Sequence, residues 1–492
     1  MTTDEWSNLV IDQFVLSAFI TGVSSDIFEL PAGPIAFAAG VEYRDESSDA
    51  TFDPWKRGVI PAGAPFPAGS MVSDHSGNDS LTLRPQLSTK NEYGSYDASD
   101  VYVEFSIPLL VDVPLAEELS LDVAARASDY STIGDTTTWK TNLVWAPTET
   151  FGVRGTYSEA VRAPNITELF GPTVGLNFRP DDPCDIAQIN AIAEDNPTLA
   201  AQTQANCEQV FSSIGFDPTG GTGAYNFVDP LSASFGGLTG GNPNLQEETA
   251  ETMTVGFVFQ PEFIEGLSLS VDYWDITIED AIESVSSQNI VDGCYQGAVL
   301  NTAFCALSER NNDPNSAQYG GFIFLRQTTL NFAKVETSGY DAALKYAFEL
   351  GAHGFDFSIQ ATKVDEINDY ENPLDPGFAN PELIEITRPE LAGNIFLNWM
   401  WGDLQVGWQS QYLGEMLYGG IEIETAETLY GRAVFMEEFW QHDISASYLV
   451  NDQLVIYGGV KNVTDEQPFL TENAFPASPR GTFFFLGLDW SM

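Results

Sequence analysis

The side chains best equipped for chemistry are few and scattered. The four cysteines, Cys184, Cys207, Cys294 and Cys305, include no CxxC pair, and the three histidines, His75, His353 and His442, stand far apart. A zinc site needs such ligands at close, regular spacing, so none is expected. Four cysteines allow three pairings. The local ones, Cys184–Cys207 and Cys294–Cys305, are favoured because they close short loops in polar Gly/Pro/Asn-rich segments, and they place those segments in an oxidising compartment. Asp181, Asp182 and Asp185 crowd Cys184 and offer oxygen atoms to a calcium ion, but without the regular spacing of a calcium loop. There is no GxSxG elbow, HExxH helix or P-loop GK. Pairs of Asp and Glu nominate no glycosidase in a chain so rich in acids. The residues point away from an enzyme and from a bound cofactor.

Charge narrows the partners. The 492 residues carry 71 acidic and 19 basic side chains, a net charge of −52. That balance excludes nucleic acid, which needs a basic face. It fits a solvated acidic surface in salty surroundings, or more sharply an electronegative vestibule or divalent-cation sites. Hydrophobic residues make up 43%, yet no apolar run reaches the ~18 residues of a transmembrane helix. The opening Met1-Thr-Thr-Asp-Glu-Trp6 has no basic stretch followed by an apolar one, so it does not read as a signal peptide.

The elements that must hold these residues are strands. Leu119, Leu121, Val123, Ala125 and Ala127 alternate with Ser120, Asp122 and Arg126, and Leu267, Leu269, Val271 and Tyr273 alternate with Ser268, Ser270 and Asp272. Phe151–Tyr157 and Ile444–Val450 repeat the pattern, and at the C-terminus Phe484, Leu486, Leu488, Trp490 and Met492 share one face. Period two with one wet and one apolar face predicts antiparallel strands. The pattern predicts about fifteen, at 10–22, 34–46, 97–110, 118–131, 136–147, 149–161, 248–261, 266–281, 328–349, 353–366, 388–402, 403–414, 435–450, 453–463 and 480–492.

Short and long connections largely alternate. Tight ones fall near Pro114, Pro147, Pro261–Gly266, Gly351, Gly402–Asp403 and Asn451–Asp452; long ones occupy 47–96, 162–247, 282–327, 367–387, 415–434 and 464–479, with the short Thr132–Asp135 as the exception on the long-loop side. An antiparallel meander then has one rim of tight turns and one of large loops. That is the asymmetry of an outer-membrane barrel, with short periplasmic turns and long extracellular loops. Trp139, Trp145, Trp274, Trp399, Trp401, Trp408, Trp440 and Trp490 lie in or beside these strands, where aromatic belts would meet lipid headgroups. The fold class is thus all-β, an antiparallel transmembrane β-barrel.

Five ordered motifs resemble the barrel domain of TonB-dependent outer-membrane receptors. Tyr157-Ser-Glu-Ala-Val-Arg-Ala-Pro-Asn-Ile-Thr-Glu-Leu-Phe170 is similar to the family's Y-S-x-x-F-R-A-P-x-x-x-E-L-F strand exit, and carries Arg162, Pro164 and Glu168. Gly241-Asn-Pro-Asn-Leu-Gln-Glu-Glu-Thr249, with Asn242, Pro243 and Glu248, resembles N-P-x-L-K-P-E-T. Asn331 with Glu336-Thr-Ser-Gly-Tyr-Asp341, including Gly339, resembles N…E-x-x-G-x-D/E. Gly459-Val-Lys-Asn-Val-Thr-Asp465, with Asn462 and Asp465, resembles V-x-N-L-x-D, and Gly481-Thr-Phe-Phe-Phe-Leu-Gly-Leu resembles the closing strand, although Met492 stands where the family usually ends on Phe.

The resemblance implies a 22-stranded outer-membrane barrel that takes up scarce nutrients such as siderophores, vitamins or oligosaccharides. Its partners are membrane lipid, an extracellular small-molecule ligand and the TonB complex. The whole of 1–492 then reads as one barrel domain, incomplete at its N-terminus, with about fifteen of the strands and no plug or TonB box. Engagement of TonB would belong to the missing part, and the chain alone is not expected to transport. Its free edges would close as a smaller barrel or pair with another copy.

In the family, loops contact ligand. Candidates here are Trp55, Lys56 and Arg57, then Phe178 and Arg179, then Tyr418 and Tyr430. Aromatic rings stack on sugars or flat chelates, and basic groups neutralise anions. Arg162, Pro164 and Glu168 read as structural, fixing the exit from strand to loop. The competing functions are a passive porin-like channel preferring cations and a secreted β-rich carbohydrate-binding protein.

Overall fold

A computed structural model describes residues 6–53, 57, 90–372, 377–419, 423–469, 475–476 and 478–491. Fifteen strands follow one another around a single antiparallel sheet in chain order. They are β1 (Ser7–Val23), β2 (Ala36–Phe52), β3 (Glu92–Val113), β4 (Ala116–Tyr130), β5 (Gly134–Thr148), β6 (Phe151–Arg162), β7 (Glu248–Phe259), β8 (Leu267–Ser284), β9 (Thr329–Leu350), β10 (His353–Tyr370), β11 (Leu391–Trp401), β12 (Leu404–Leu413), β13 (Phe439–Asn451), β14 (Leu454–Lys461) and β15 (Phe483–Trp490). Each corresponds to a strand expected from the alternation. Tight turns join β3 to β4, β5 to β6, β9 to β10, β11 to β12 and β13 to β14, and all lie on one rim. The large loops lie on the other.

Register makes the two faces explicit. Glu42 of β2 stands opposite Asp100 of β3, which stands opposite Ser128 of β4, which stands opposite Thr136 of β5. On β8 to β11 a second polar row runs from Asp272 through Asp341 and Thr362 to Ala392. These positions alternate with an apolar face on which Val41, Val101, Leu143, Val255 and Tyr340 are exposed. Rings pair across strands on that apolar face: Trp139 with Tyr157 at 5.4 Å, Tyr273 with Tyr340 at 5.1 Å and Tyr412 with Trp440 at 4.6 Å between centroids. Exposed aliphatics bordered by paired aromatics are what a lipid-facing surface requires.

Glycine is used where strands and rings crowd. The pairing of β9 with β10 shifts register between Ser338 and Gly339. A Cβ on Gly339 would stand 2.4 Å from the Lys363 carbonyl oxygen and 2.8 Å from the ring of Trp274, its partner on β8. An aromatic ring covering a cross-strand glycine protects the ladder that the missing side chain would leave bare.

Among the described residues no pairing joins β1 to β15, so the expected closure into a smaller barrel is not found. The reason is directional. Successive strands alternate, so the first and last of fifteen point the same way. Direct closure would insert a parallel pair into an antiparallel ladder. Both edges are open: every residue of β1 except Gly22 is exposed, and Phe484, Leu486 and Leu488 are 72%, 81% and 67% exposed.

The face assignment is testable on adjacent residues of β9. Leu344→Arg, on the apolar face, is expected to lower stability by roughly 2–4 kcal/mol. Ala343→Arg, which points to the polar side opposite Gln360, should cost far less. Urea titration of the chain refolded in lipid vesicles measures both, and equal losses would contradict the assignment.

Candidate functional site

The large-loop rim is stitched by the motif side chains. β6 ends at Arg162, whose guanidinium donates from Nε and Nη2 to both oxygens of Glu248 at 2.5 and 2.7 Å, and from Nη1 to both oxygens of Glu168 at 3.1 and 3.0 Å. Glu168 also closes a capping box on the helix Ile166–Phe170: the Asn165 side chain accepts from the Thr167 and Glu168 amides, and the Glu168 carboxylate accepts from the Asn165 amide. Pro164, buried just before this cap, helps hold the chain out of the helix until Asn165. Glu248, the first residue of β7, accepts from the Ile282 amide of β8 as well. One arginine thereby ties both ends of the 163–247 loop to three neighbouring strands.

Asn331 does the same beside it. Its Nδ2 donates to the carbonyls of Gln246 and Asp280 at 2.9 Å, and its Oδ1 accepts from the Gln246 amide at 2.9 Å. Asn242 donates to the Thr329 carbonyl and accepts from the Asn244 amide, with Pro243 exposed between them. At the far end of the sheet, Asn462 and Asp465 adopt positive φ of 52° and 55°, which Asn and Asp tolerate best after glycine. Asp465 accepts from the Thr482 amide at 3.0 Å, so the turn after β14 places the start of β15.

Above this rim the two longest loops fold together into a cap, which the sequence did not announce. Four short strands pair in the order Ser308–Arg310, Phe322–Gln327, Phe235–Thr239, Val174–Phe178. Helices Ile186–Asp195, Pro197–Ser213 and Ser287–Tyr295 accompany them, and the two expected disulfides, Cys184–Cys207 and Cys294–Cys305, are formed.

At its centre lies an ion pair between Arg310 and Asp182, whose side chains are 2% and 0% exposed. Arg310 donates to both Asp182 oxygens at 2.7 Å, to the Tyr295 hydroxyl at 2.7 Å and to the Gly320 carbonyl at 2.8 Å. Its guanidinium carbon lies 4.0 Å from the centroid of Phe322, 4.9 Å from Tyr295 and 5.0 Å from Phe211. Burial pulls the guanidinium pKa down, but the Asp182 carboxylate and the Tyr295 hydroxyl together more than offset this and hold it above its usual value. Asp182 also accepts from the Cys184 amide, which ties the pair to the first disulfide.

The TonB dependent receptor-like, beta-barrel family matches residues 3–463. The chain belongs to this family. Its fold is also similar to solved structures of the ferric enterobactin receptor PfeA from Pseudomonas aeruginosa in complex with enterobactin (14% identity, TM-score 0.58, 98% of this chain and 54% of that one). The siderophore receptor PirA from Acinetobacter baumannii is comparable (16% identity, TM-score 0.57, 99% of this chain and 55% of that one). The chain therefore spans about half the length of those receptors. No curated protein sequence matches it.

In this receptor-family barrel the expected contact residues fare differently. Phe178 is buried in the cap core at 6% exposure, so it is packing and not a loop surface. Arg179 lies beside it but donates to Asp229 and to the Pro180 and Leu231 carbonyls. Tyr430 is 57% exposed at the end of the helix Ile423–Tyr430. Tyr418 is half-buried against Phe469, and the Arg57 Nε donates to the Phe52 carbonyl. Trp55 and Lys56 lie outside the described residues. Among the described residues, no contact joins Phe178 and Arg179 to Arg57, Tyr418 or Tyr430.

Two of the three aspartates beside Cys184 are engaged by the protein itself: Asp182 by Arg310, and Asp185 as the cap of the helix Ile186–Asp195 and acceptor of the Asp229 amide, while Asp181 is exposed. Among the described residues no group of acids and histidines is placed to hold a metal. Sequence reading missed the Arg310–Asp182 pair because no local spacing links residues 128 positions apart.

Two outcomes follow for the cap. Asp182→Asn leaves Arg310 buried without its counter-charge, and is expected to destabilise the cap by about 3–5 kcal/mol. Limited proteolysis should then cut within 163–247 while the strands stay intact. The second concerns Asp292, whose carboxyl burial raises from 3.8 to about 6. A raised carboxyl pKa means the folded cap binds the proton more tightly than the unfolded chain. The stability it confers is complete below pH 3.8 and lost as pH rises through about 6. Asp292→Asn should flatten cap stability across that window, as read by the pH dependence of proteolytic protection.

Proposed function

We propose that residues 1–492 are the barrel portion of an outer-membrane receptor for energy-dependent uptake of a scarce nutrient. One observation carries the reading. The sheet presents a hydrocarbon face outward and a polar face inward, and all of its large connections lie on one rim. A membrane barrel needs the first, because no backbone group can go unpaired in lipid. A receptor needs the second, because ligands are taken by loops on the outer side. Coupling to TonB is assigned to a plug-bearing portion of the full receptor, outside the wall described above. The barrel portion alone does not transport.

The ligand belongs to the class these receptors carry: a siderophore, a vitamin or an oligosaccharide. PfeA binds enterobactin, and at 14% identity that likeness supports the fold and leaves the ligand to the loops. Tyr418, Tyr430, Arg179 and Arg57, with Trp55 and Lys56, remain the candidate loop contacts.

The test is physical. Produced with an outer-membrane export signal, the chain should fractionate with the outer membrane and migrate faster on an unheated gel than after boiling. Recovery in the soluble fraction without detergent, with a single mobility, overturns the proposal.

A further inference from the structure

Three neighbouring connections on the tight-turn rim, β3 to β4, β5 to β6 and β7 to β8, enclose a groove of about 610 Å³. Pro114, Pro147, Pro261 and Phe259 give it apolar walls. Leu115 and Phe263 also line it and are 75% and 81% exposed. Leu115 is held outward against a backbone cost. Its φ is 66°, in the left-handed region that bulky residues avoid, and the Trp145 indole fastens it there by donating to its carbonyl at 2.8 Å.

The groove opens on the lipid side. Phe259 stands opposite Phe151, on the face that carries exposed Val255, and Phe151 packs on Phe257 at 6.1 Å between centroids. Glu117 shares its face of β4 with Leu119 and Leu121, and Trp145 shares its face of β5 with exposed Leu143. The hydrocarbon surface therefore continues into the groove, at the level where a leaflet passes from acyl chain to headgroup. A plug inside the barrel would face the other side of these strands.

The charge in the groove has one sign. Glu117, Glu149 and Glu262 line it, and no Lys, Arg or His does. Glu117 also stands beside Asp112 and within reach of the Glu149 charge. The Thr148 and Thr150 hydroxyls lie 3.2 Å apart, so one donates to the other and the second proton is left for an outside acceptor.

Resting on the membrane-barrel reading above, we propose that this groove seats a phospholipid whose headgroup carries a primary amine. Its acyl chains lie along Leu115, Phe259 and Phe263, its phosphate accepts from the threonine hydroxyl, and its ammonium pairs with the surrounding carboxylates. A headgroup of net negative charge meets carboxylates and no cation, and is repelled. The apolar walls accept any acyl chain; the carboxylates select the headgroup. A basic peptide would satisfy the acids, but the groove opens on the hydrocarbon face, where unpaired peptide backbone is excluded.

The test uses the full chain refolded in lauryldimethylamine oxide with equimolar phosphatidylethanolamine and phosphatidylglycerol, and counts retained lipid by native mass spectrometry. Phosphatidylethanolamine is expected to be retained about tenfold over phosphatidylglycerol. Glu117→Gln, Glu149→Gln and Glu262→Gln should each lower that preference, and all three together should abolish it while lipid is still retained. Glu118→Gln, next in sequence but on the lumenal face with Ser120, removes the same charge and should leave the preference intact. Equal retention of the two lipids by the wild type, or a preference that survives the triple variant, overturns the proposal. Saturable binding of the peptide Lys-Leu-Pro-Lys that phosphatidylethanolamine does not displace overturns it as well. Proteins are compared only where the heat-modifiable band persists. If the wild-type band is intact, such a failure leaves the barrel reading standing; if the wild-type band is absent, both fall.

Discussion

In the hydrocarbon of a bilayer there is no water to pair with a backbone N–H or C=O, and this constraint organises the rest of the molecule. The fifteen-strand ladder is the response. It forces side chains to alternate between lipid and lumen, and leaves β1 and β15 as the two places where the demand is unmet. Because both edge strands point the same way, joining them directly would need a parallel pair in an otherwise antiparallel ladder.

Outside the lipid the constraint lapses, and the chain builds differently. The cap is a small globular unit with helices, a short sheet, two disulfides and its own core. Its buried ion pair is held by close packing: Arg310 is surrounded by rings and donates four hydrogen bonds. Arg162 and Asn331 join the two regimes. Each gathers loop ends and strand ends with charge-assisted or amide bonds at the height where the ladder stops. The cap is thus seated on a rim braced by these bonds.

The lumenal face differs along the sheet. On β2 to β8 it carries paired charges, Arg126 with Asp100 and Glu42 and Arg154 with Asp272. On β11 to β15 it carries uncharged amides, hydroxyls and rings. Alternation alone makes both regions look alike, since it reports polarity and not whether a polar group is already satisfied.

Strand number, order and facing were legible because period-two patterning is local: Leu119 to Ala127 shows its faces without reference to any other strand. Local too were the disulfides, whose partners are 23 and 11 residues apart, and the alternation of rims. That Phe178 shares a buried core with Phe235 and Phe322 was not legible, because nothing nearby in sequence brings those residues together. The aspartates near Cys184 looked like possible cation ligands until Arg310, remote in sequence, occupied one of them. The sequence by itself determined a membrane-facing antiparallel sheet with loops on one side, since hydrophobic periodicity and turn length act over a few residues. Only the tertiary structure decided which polar groups are paired, which loops merge into a cap and which strand edges stay open, since those depend on contacts between segments that the chain brings together only by folding.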